Sequence, residues 1–438
     1  MSIFSLNDVT RNNLAQNTPY YIGCPGVNEL ENRFKGYPAI IVAAGPSLKK
    51  NIEKLKTLQG KAVIIAVATI YKALLANGII PDFVCCLDYH EISHEYFSDI
   101  DNNKSALVID PKVTWKVPAT FKGKVFVSQD GNIDILMNAK HGLKKSLSQG
   151  SCVAHLCFYL ADFLGCDPVI LVGQDYAFER GATHFPGTPI HDKWNAQFKA
   201  QPTMEEWWKA LSHRGVIPRK AIDINGNEIY TDEQMFNYCR KAQYDFFQSD
   251  KRVIDATEGG LKKEHCDLMT LEDASEFCEK DIPTDLLDVS NITDETILSE
   301  KQRNRFIRVL FDYERDCPGL QSMLRKAVSH LEEIRKTLRD KTITEKKVQV
   351  LEKLRKKIHK KYARLFNLVA TANNTRELIK IQKDREVAAL DMHGMDLMGA
   401  QTVRDHAYLS ATVDSVQKFQ NLMRLTRAAI QHFDFGEG

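Results

Sequence analysis

The sequence predicts an α/β protein, with a Rossmann-like, mostly parallel sheet covered by helices on both faces and an all-α helical bundle after it. Three observations support this prediction. Short apolar runs alternate with helical patterns up to about residue 280, which is typical of parallel strands buried on both faces. Glycines and polar residues directly follow several of these runs. Beyond residue 300 the strand signals end, and leucines recur at alternating spacings of four and three, as in helices that pack along a heptad seam.

The composition disfavours several classes of protein. With 43% hydrophobic residues, 26% charged residues and a net charge of +2, the chain has the balance of a soluble globular protein and no global charge for nucleic acid. No apolar run reaches the roughly 18 residues of a membrane span, and the N-terminus has no secretory signal pattern, so we do not expect an integral membrane protein. The ten cysteines form no CxxC or zinc-type spacing, which favours reduced, buried thiols in a cytoplasmic protein.

The 438 residues are too many for one typical core and divide by pattern into segments. Residues 1–36 are mixed and polar and predict a short N-terminal extension that packs on the next domain. Residues 37–280 carry the alternating strands and helices, with a tryptophan-rich insertion at about 186–229 that is typical of a lid or an acceptor-binding segment. Residues 281–300 predict a linker, and residues 301–438 a helical domain.

The first strand is predicted at Ala39–Val42, and it ends before Gly45, Pro46 and Ser47, where a helix begins. A strand–turn–helix of this kind directs backbone N–H groups and the positive end of a helix dipole at whatever lies above the sheet, which suits a phosphate. An ordinary β–α turn is the alternative. The single glycine is not the GxGxxG of dinucleotide-binding folds, and the Walker lysine is missing, so nicotinamide and P-loop chemistry are disfavoured.

Further apolar runs continue the sheet, at Lys61–Val67, Phe83–Leu87, Ala106–Ile109, Lys124–Val127, Pro168–Val172 and Arg252–Ile254. Asp88 follows the third strand. Because the carboxyl ends of parallel strands meet at one edge of a sheet, its carboxylate should face the same crevice as Gly45 and Ser47.

A second candidate anion-binding turn is Gly150-Ser151, directly before a helix predicted at Cys152–Leu164. Within that helix, His155 is expected to be a core or surface histidine.

The strand at Pro168–Val172 is followed by four residues that could contact a ligand. Gly173 permits close backbone approach, and the amide of Gln174 suits a base or a sugar. Asp175 could bind a hydroxyl, orient a base or hold a cation, and Tyr176 offers an aromatic face.

His184 lies on a glycine-bounded loop, where either a catalytic or ligand contact or a plain polar loop residue is expected. Thr231 or Asp232 is the predicted N-cap of a later helix. The last strand runs into polar residues and glycines, which again places ligand-binding groups at the carboxyl edge of the sheet: Thr257, Glu258 and Gly259.

The C-terminal region predicts an antiparallel helical hairpin or bundle. Two apolar stripes carry this prediction: Leu320, Leu324, Ala327, Leu331, Ile334 and Leu338, and then Leu351, Leu354, Ile358, Leu365 and Val369. Between Arg339 and Arg364 there are eleven Lys/Arg residues and three Asp/Glu residues. A basic solvated face is the first interpretation, and contact with an acidic partner or nucleic acid is the alternative.

Taken together, these motifs resemble the motility accessory factor (Maf) glycosyltransferases, a bacterial family that attaches nonulosonic acids to flagellin. The resemblance covers roughly residues 37–265 and rests on five stretches in order: YPAIIVAAGPSLKKNI, GIIPDFVCCLD, the run from Gly150-Ser151, LVGQDYAFERGATH and VIDATEGG. The same core resembles hydroxymethylpterin diphosphokinases and, more distantly, bacterial sialyltransferases. Cys152 and Tyr176 depart from the family pattern, and the short N-terminal extension weakens the inference about the acceptor more than that about the donor.

The resemblance implies a catalytic domain at 37–280 that transfers a pseudaminic-, legionaminic- or sialic-type sugar from its CMP-activated form to a Ser/Thr hydroxyl of a protein such as flagellin. The nucleotide sugar would be bound by Gly45, Pro46, Ser47, Asp88, Gly150, Ser151, Gly173, Gln174, Tyr176, Thr231, Thr257, Glu258 and Gly259. His184 would be the general base, with Asp175 as the second candidate. No cofactor is required, although Asp88 and Asp175 could hold Mg²⁺.

Two other functions remain open at the level of sequence. One is a Mg²⁺-dependent diphosphokinase of the hydroxymethylpterin type, with Asp88 and Asp175 as metal ligands. The other is a non-catalytic flagellar assembly factor that acts through the helical domain, which could also mediate oligomerisation.

Overall fold

The computed structural model describes residues 8–137, 143–148, 150–178, 184–192, 218–371, 384–385, 387–388 and 394–435. The chain divides into two compact units. One, the sheet unit, comprises Tyr20–Asp130 and His141–Ile297, and the other, the helical unit, comprises Met1–Pro19, Gly131–Lys140 and Leu298–Gly438.

Eight parallel strands form the sheet of the sheet unit, in the order β10-β9-β6-β1-β2-β3-β4-β5. Two more strands, β7 and β8, form an antiparallel hairpin. The described strands are β1 Ala39–Val42, β2 Val63–Val67, β3 Phe83–Cys86, β4 Ala106–Ile109, β5 Val125–Val127, β6 Val169–Val172, β7 Pro218–Ile222, β8 Glu228–Asp232, β9 Val253–Asp255 and β10 Asp267–Leu268. The predicted α/β class is thereby confirmed.

The described α-helices are α1 Asp8–Gly23, α2 Ile52–Thr57, α3 Tyr71–Ala76, α4 Lys116–Thr120, α5 Gly131–Met137, α6 Val153–Phe163, α7 Glu233–Gln248, α8 Leu271–Ala274, α9 Thr284–Leu287, α10 Glu300–Thr337, α11 Lys341–Thr371 and α12 Gly394–His432. Short 3-10 turns lie at Val27–Leu30, Pro46–Lys50, Ala68–Ile70, Glu91–Tyr96 and Ser275–Phe277.

The centre of the sheet is fully apolar, as expected for parallel strands covered on both faces. All four residues of β1 are buried, and Ala39 lies opposite Val63 of β2 on one side and Val169 of β6 on the other. Helix α6 packs on this central group of strands. The sheet therefore holds the ends of β1, β6 and β9 rigidly next to one another.

Two elements differ from the sequence-based prediction. The segment before β7 was predicted as one long insertion, but its described end forms the β7–β8 hairpin around Asn225-Gly226, the turn that the sequence did signal. The tryptophans of the insertion lie outside the described residues. The N-terminal extension contains helix α1, which the sequence analysis missed because its apolar residues follow no regular helical stripe.

The helical unit is built on three long helices. Helix α10 begins at a capping box in which Ser299 and Gln302 bond reciprocally, and it packs against both α11 and α12. The predicted heptad stripe of α10 is buried from Leu320 to Ile334. Along α11, Ile358, Leu365 and Val369 of the second predicted stripe are buried, whereas Leu351 and Leu354 are half-buried.

The segment predicted as a linker is anchored to the sheet unit. The guanidinium group of Arg33 donates to the carbonyl oxygens of Asp285, Leu286 and Asp288. Elsewhere, none of the helices in the described ranges combines the length and the apolarity that a membrane crossing needs.

Candidate active site

The candidate site lies where β9, β6 and β1 end side by side at the carboxyl edge of the sheet. In an open α/β sheet, ligands bind at this edge. The chain there supplies Gly45–Ser47 after β1, Gly173–Asp175 after β6 and Ala256–Gly260 after β9. The structure thus joins residues that are more than 200 positions apart in the sequence.

The side chain of Asp175 holds the turn after β1. Its Oδ1 accepts the backbone N–H of Ser47 at 3.1 Å, and its Oδ2 accepts the Ser47 hydroxyl at 2.7 Å. Asp175 is 3% exposed and Ser47 is 1% exposed. Because the N–H group of Gly45 also donates to the carbonyl oxygen of Gly173, at 2.8 Å, this turn satisfies its own donors within the protein. The anion that it binds in this structure is the carboxylate of Asp175.

Glycine is required at two positions of this contact. A Cβ atom on Gly45 would overlap the carboxylate of Asp175, and one on Gly259 would lie 2.8 Å from the Cβ of Ser47. The turns after β1 and β9 therefore pack directly against each other, and the site has no room for a side chain at either glycine.

Donors without an acceptor are found in the turn after β9. In the described ranges, the backbone N–H groups of Gly259 and Gly260 have no hydrogen-bond acceptor. Glu258 and Gly260 both have left-handed backbone conformations, with φ of +56° and +71°. Alternating left-handed residues turn successive N–H groups into a concave anion-binding arrangement. This turn, rather than Gly45–Ser47, offers backbone donors to a ligand.

Gln174 contributes a further donor. Its backbone N–H donates to the hydroxyl oxygen of Thr257 at 3.3 Å, and its Oε1 accepts the hydroxyl of Tyr176 at 3.1 Å. Its Nε2 has no partner among the described residues, although the side chain is only 3% exposed. An unpaired buried donor typically costs about 1–3 kcal/mol, which a ligand acceptor would recover.

Tyr176 is held in a strained conformation beside this amide. Its φ of +50° lies in the left-handed region, which costs a non-glycine residue on the order of 1–3 kcal/mol. The hydroxyl of Thr231 fixes this conformation by donating to the carbonyl oxygen of Tyr176 at 2.6 Å. Thr231 is fully buried, and its neighbour Asp232 is the N-cap of α7, accepting the N–H of Met235.

A buried ion pair closes the base of the turn after β9. The Nζ of Lys263 lies 2.9 Å from Oδ2 of Asp255 and also donates to the carbonyl oxygen of Leu261. Oδ1 of Asp255 accepts the N–H of Thr257. Burial alone would lower the pKa of Lys263, but the adjacent Asp255 carboxylate outweighs it and the pKa lies above its ordinary value. The sequence analysis did not find this pair, because Lys263 follows no motif.

His184 lies near the same edge of the sheet. The N–H of the next residue, Phe185, donates to the carbonyl oxygen of Ala44 at 2.7 Å, so the loop is attached next to Gly45. His191 lies in a helical stretch that begins at residue 189, and its Nδ1 lies 3.1 Å from the carbonyl oxygen of His184. Burial, reinforced by His191, lowers the pKa of His184 to about 4. Its imidazole is therefore neutral at physiological pH.

Asp88 lies farther away along the sheet. It follows β3, three strand positions from β6, which separates the strand axes by about 14 Å at the usual spacing of parallel strands. Its Oδ1 accepts the N–H of His90. Across the described ranges, no three His, Cys, Asp or Glu side chains converge in a way that could hold a metal ion.

The turn at Gly150-Ser151 has a structural partner. The N–H of Ser151 donates to Nδ1 of His155 at 3.0 Å, so the proton of the neutral ring is on Nε2, which faces the carbonyl oxygen of Tyr238 at 3.0 Å. His155 is 2% exposed, and burial lowers its pKa. It is a core histidine, as expected, and it uses one of the two backbone donors predicted for an anion.

The ends of β4 and β5 carry a charged group that the sequence analysis did not single out. The Nζ of Lys112 lies 2.7 Å from Oδ2 of Asp130 and 3.2 Å from Oδ1 of Asp110. Both aspartates are at most 3% exposed. The sequence did carry a signal for the two aspartates, because each follows an apolar strand and so lies at the carboxyl edge of the sheet.

Comparison with known proteins first gives the class of the core. A family model described as 6-hydroxymethylpterin diphosphokinase MptE-like matches residues 12–181, which include β1 to β6 and the turn at Gly45–Ser47. The doubly wound α/β core is therefore similar to MptE-like proteins over these residues, as its sequence motifs predicted.

The fold as a whole is similar to that of a solved Maf glycosyltransferase from Magnetospirillum magneticum AMB-1, with a TM-score of 0.55 and 15% sequence identity. The match covers 97% of this chain and 61% of that protein, so this chain spans less than two thirds of its length. A stretch of 56 residues is 39% identical to part of an uncharacterized protein of Treponema pallidum (strain Nichols). This stretch makes up 13% of this chain and 27% of that protein. The predicted resemblance to Maf glycosyltransferases is confirmed at the level of the fold.

Proposed function

We propose that the protein is a glycosyltransferase that moves a nonulosonic acid from a CMP-activated donor to a Ser/Thr hydroxyl of a protein acceptor such as flagellin. The observation that carries this proposal is the set of unpaired donors at the carboxyl edge, from Gln174, Gly259 and Gly260, in a fold similar to that of a Maf glycosyltransferase. No metal is required by this chemistry.

The donor side of the site would stabilise the leaving group. When the bond between the sugar carbon and the phosphate oxygen breaks, CMP leaves with the electron pair and negative charge grows on its phosphate. The N–H groups of Gly259 and Gly260 are suited to that charge, and removing one such donor typically costs about 2.7–4 kcal/mol of transition-state stabilisation. The Nε2 of Gln174 would donate to a carbonyl or hydroxyl oxygen of the cytidine.

The acceptor hydroxyl must lose its proton as the new carbon–oxygen bond forms. His184 is our candidate for the general base, because its imidazole is neutral at physiological pH. Asp175 is less suited to this role, since both of its carboxylate oxygens already accept hydrogen bonds from Ser47. We assign Asp175 to positioning the turn after β1.

A cleft beside the turn after β9 is our candidate for the acceptor side. Its volume is 640 Å³, within the usual range for ligand pockets of about 300–1,000 Å³. Leu261, directly after Gly260, lines its wall, and the exposed rings of Tyr244 and Phe247 line it from α7. These rings can hold the apolar side chains of an acceptor segment close to the donor.

Ligand-dependent thermal stability tests the donor class. CMP at about 100 times its dissociation constant should stabilise the protein by about 2.7 kcal/mol. Gln174→Met should weaken this effect, and Gln234→Met, on the exposed face of α7, should leave it unchanged. Stabilisation by ATP with Mg²⁺ and by no cytidine nucleotide would contradict the proposal. No response to any nucleotide would favour a non-catalytic assembly factor.

A second candidate is a diphosphokinase of the hydroxymethylpterin type, favoured by the family model that matches residues 12–181. It would need ATP and Mg²⁺ near Asp88 and Asp175. These residues follow strands three positions apart, and Asp175 is already bonded to Ser47, so the pair fits a shared magnesium ion poorly. We therefore rank this function second.

A further inference from the structure

Helix α11 carries a row of exposed side chains beside its buried stripe. The row consists of Ile343, Lys346, Val350, Lys353, Lys357 and Lys360, spaced alternately three and four residues apart, and we call it the basic stripe. All six side chains are exposed. At 1.5 Å per residue the row is about 26 Å long and lies on one face of the helix before its kink at Tyr362.

No described carboxylate neutralises the charges of the basic stripe. In the part of the chain that the structure describes, none of its four lysines forms an ion pair. The acidic residues nearest in sequence, Glu345 and Glu352, lie about a quarter-turn to the side on the helical wheel, and Glu352 already contacts Arg355 at 3.4 Å. A buried stripe that includes Ile358 lies about a third of a turn from the basic stripe and packs within the helical unit. The lysines are therefore available to an external anionic surface.

The two apolar members of the stripe indicate the kind of surface. Ile343 is 44% exposed and Val350 is 43% exposed, although both lie among lysines. Phosphate groups of a nucleic acid offer no apolar contact for such side chains, and the stripe has no aromatic residue that could stack on a base. Anionic lipid headgroups offer both a negative charge for the lysines and an apolar layer beneath it for isoleucine and valine.

We propose that the basic stripe binds peripherally to membranes that contain anionic lipids. The lysines would contact the headgroups, with their aliphatic stems along the surface, and Ile343 and Val350 would enter the interface. This inference is independent of the proposed transferase activity, since it rests on α11 and uses no residue of the candidate active site.

Vesicle sedimentation of the full chain tests the proposal. At an ionic strength of about 0.05 M, where the Debye length is long, the protein should bind vesicles of phosphatidylcholine with roughly 30% phosphatidylserine and not vesicles of phosphatidylcholine alone. The triple variant Lys353→Glu, Lys357→Glu and Lys360→Glu should bind at least about tenfold more weakly. Failure of the unmodified protein to bind the anionic vesicles would overturn the proposal.

A matched control separates the stripe from net charge. Arg305→Glu, Arg308→Glu and Arg325→Glu make the same change of charge at exposed positions of α10 and should alter binding less than about twofold. An equal loss in both triple variants would show that the interaction is not specific to α11 and would refute the assignment.

The double variant Ile343→Ser and Val350→Ser tests the choice of a lipid surface. It should weaken binding to the anionic vesicles and leave binding to a duplex DNA oligonucleotide unchanged. The proposal is wrong, and the partner is a nucleic acid, if two results are found together. The unmodified protein would bind the duplex more tightly than the vesicles, and the serine variant would bind both the duplex and the vesicles as tightly as the unmodified protein does. Circular dichroism of each variant should show that the helices are retained.

Discussion

Replacing Lys263 by methionine should destabilise the sheet unit strongly, because it leaves the Asp255 carboxylate buried without its partner. The two side chains are 0% and 1% exposed, so no water can take over the charge. Removing one member of a buried ion pair typically costs about 3–5 kcal/mol. For a domain of this size, that corresponds to a decrease of roughly 6–20 °C in Tm.

Thermal and urea denaturation measure this effect, with Lys262→Met as the matched control. Lys262 is the exposed neighbour of Lys263, so its replacement should change the free energy of unfolding by less than about 0.5 kcal/mol. The double variant Lys263→Met and Asp255→Asn should recover much of the loss, because it leaves no buried charge. If Lys263→Met and Lys262→Met are equally stable, the ion pair does not support the turn.

The pH dependence of stability has a defined sign at this pair. The pKa of Lys263 is raised in the folded protein, so the stabilisation is complete below the ordinary lysine pKa of about 10.4 and is lost as the pH rises through the folded pKa. In Lys263→Met, the free energy of unfolding, measured by urea denaturation at alkaline pH, should lack the part of the decline that Lys263 contributes in the unmodified protein.

Three further predictions concern the site and the helical unit. Gly45→Ala should abolish CMP-dependent stabilisation, since the added Cβ displaces Asp175, and a variant that still responds to CMP would contradict the observed packing. His184→Ala should abolish transfer while CMP still binds. In the unmodified protein, transfer should decline as the pH falls through about 4, the pKa of His184 in the folded state. The free energy of unfolding should decline as the pH falls from about 6.5 to 4, because the folded pKa of His184 is below the unfolded one. A pH-rate profile with no such acidic limb would exclude His184 as the base. Leu324→Ala should cost the helical unit about 2–5 kcal/mol in denaturation experiments, and Arg325→Ala, at an exposed position, less than about 0.5 kcal/mol.

The sequence predicted the sheet well because its strands are short, continuous apolar runs. The predicted and observed bounds of β1 and β4 coincide, and those of the other predicted strands differ by at most two residues at either end. Strand β10 was missed, since its two exposed residues carry no apolar run. Helix α1 was missed for a related reason, as its buried side chains do not follow a regular stripe.

For the candidate site, the sequence predicted which turns converge and not how their hydrogen bonds are distributed. The order of strands brings Gly45–Ser47, Gln174–Asp175 and Thr257–Gly259 together, and each stretch had been identified from its position after a strand. That Asp175 takes the donors of the first turn depends on side-chain geometry between residues 128 positions apart. Local pattern carries no information about such a contact. The roles of these residues in catalysis stay predictions.

The central claim is that the site transfers a sugar from a cytidine nucleotide. The most direct measurement incubates the protein with CMP-linked sialic, legionaminic or pseudaminic acid and a flagellin acceptor, and follows CMP release and the mass of the acceptor. We expect CMP to be released in step with a mass increase of one sugar per modified hydroxyl, and His184→Ala to show neither. Release of AMP from ATP with Mg²⁺ and hydroxymethylpterin, without any reaction of the CMP-sugars, would contradict the account.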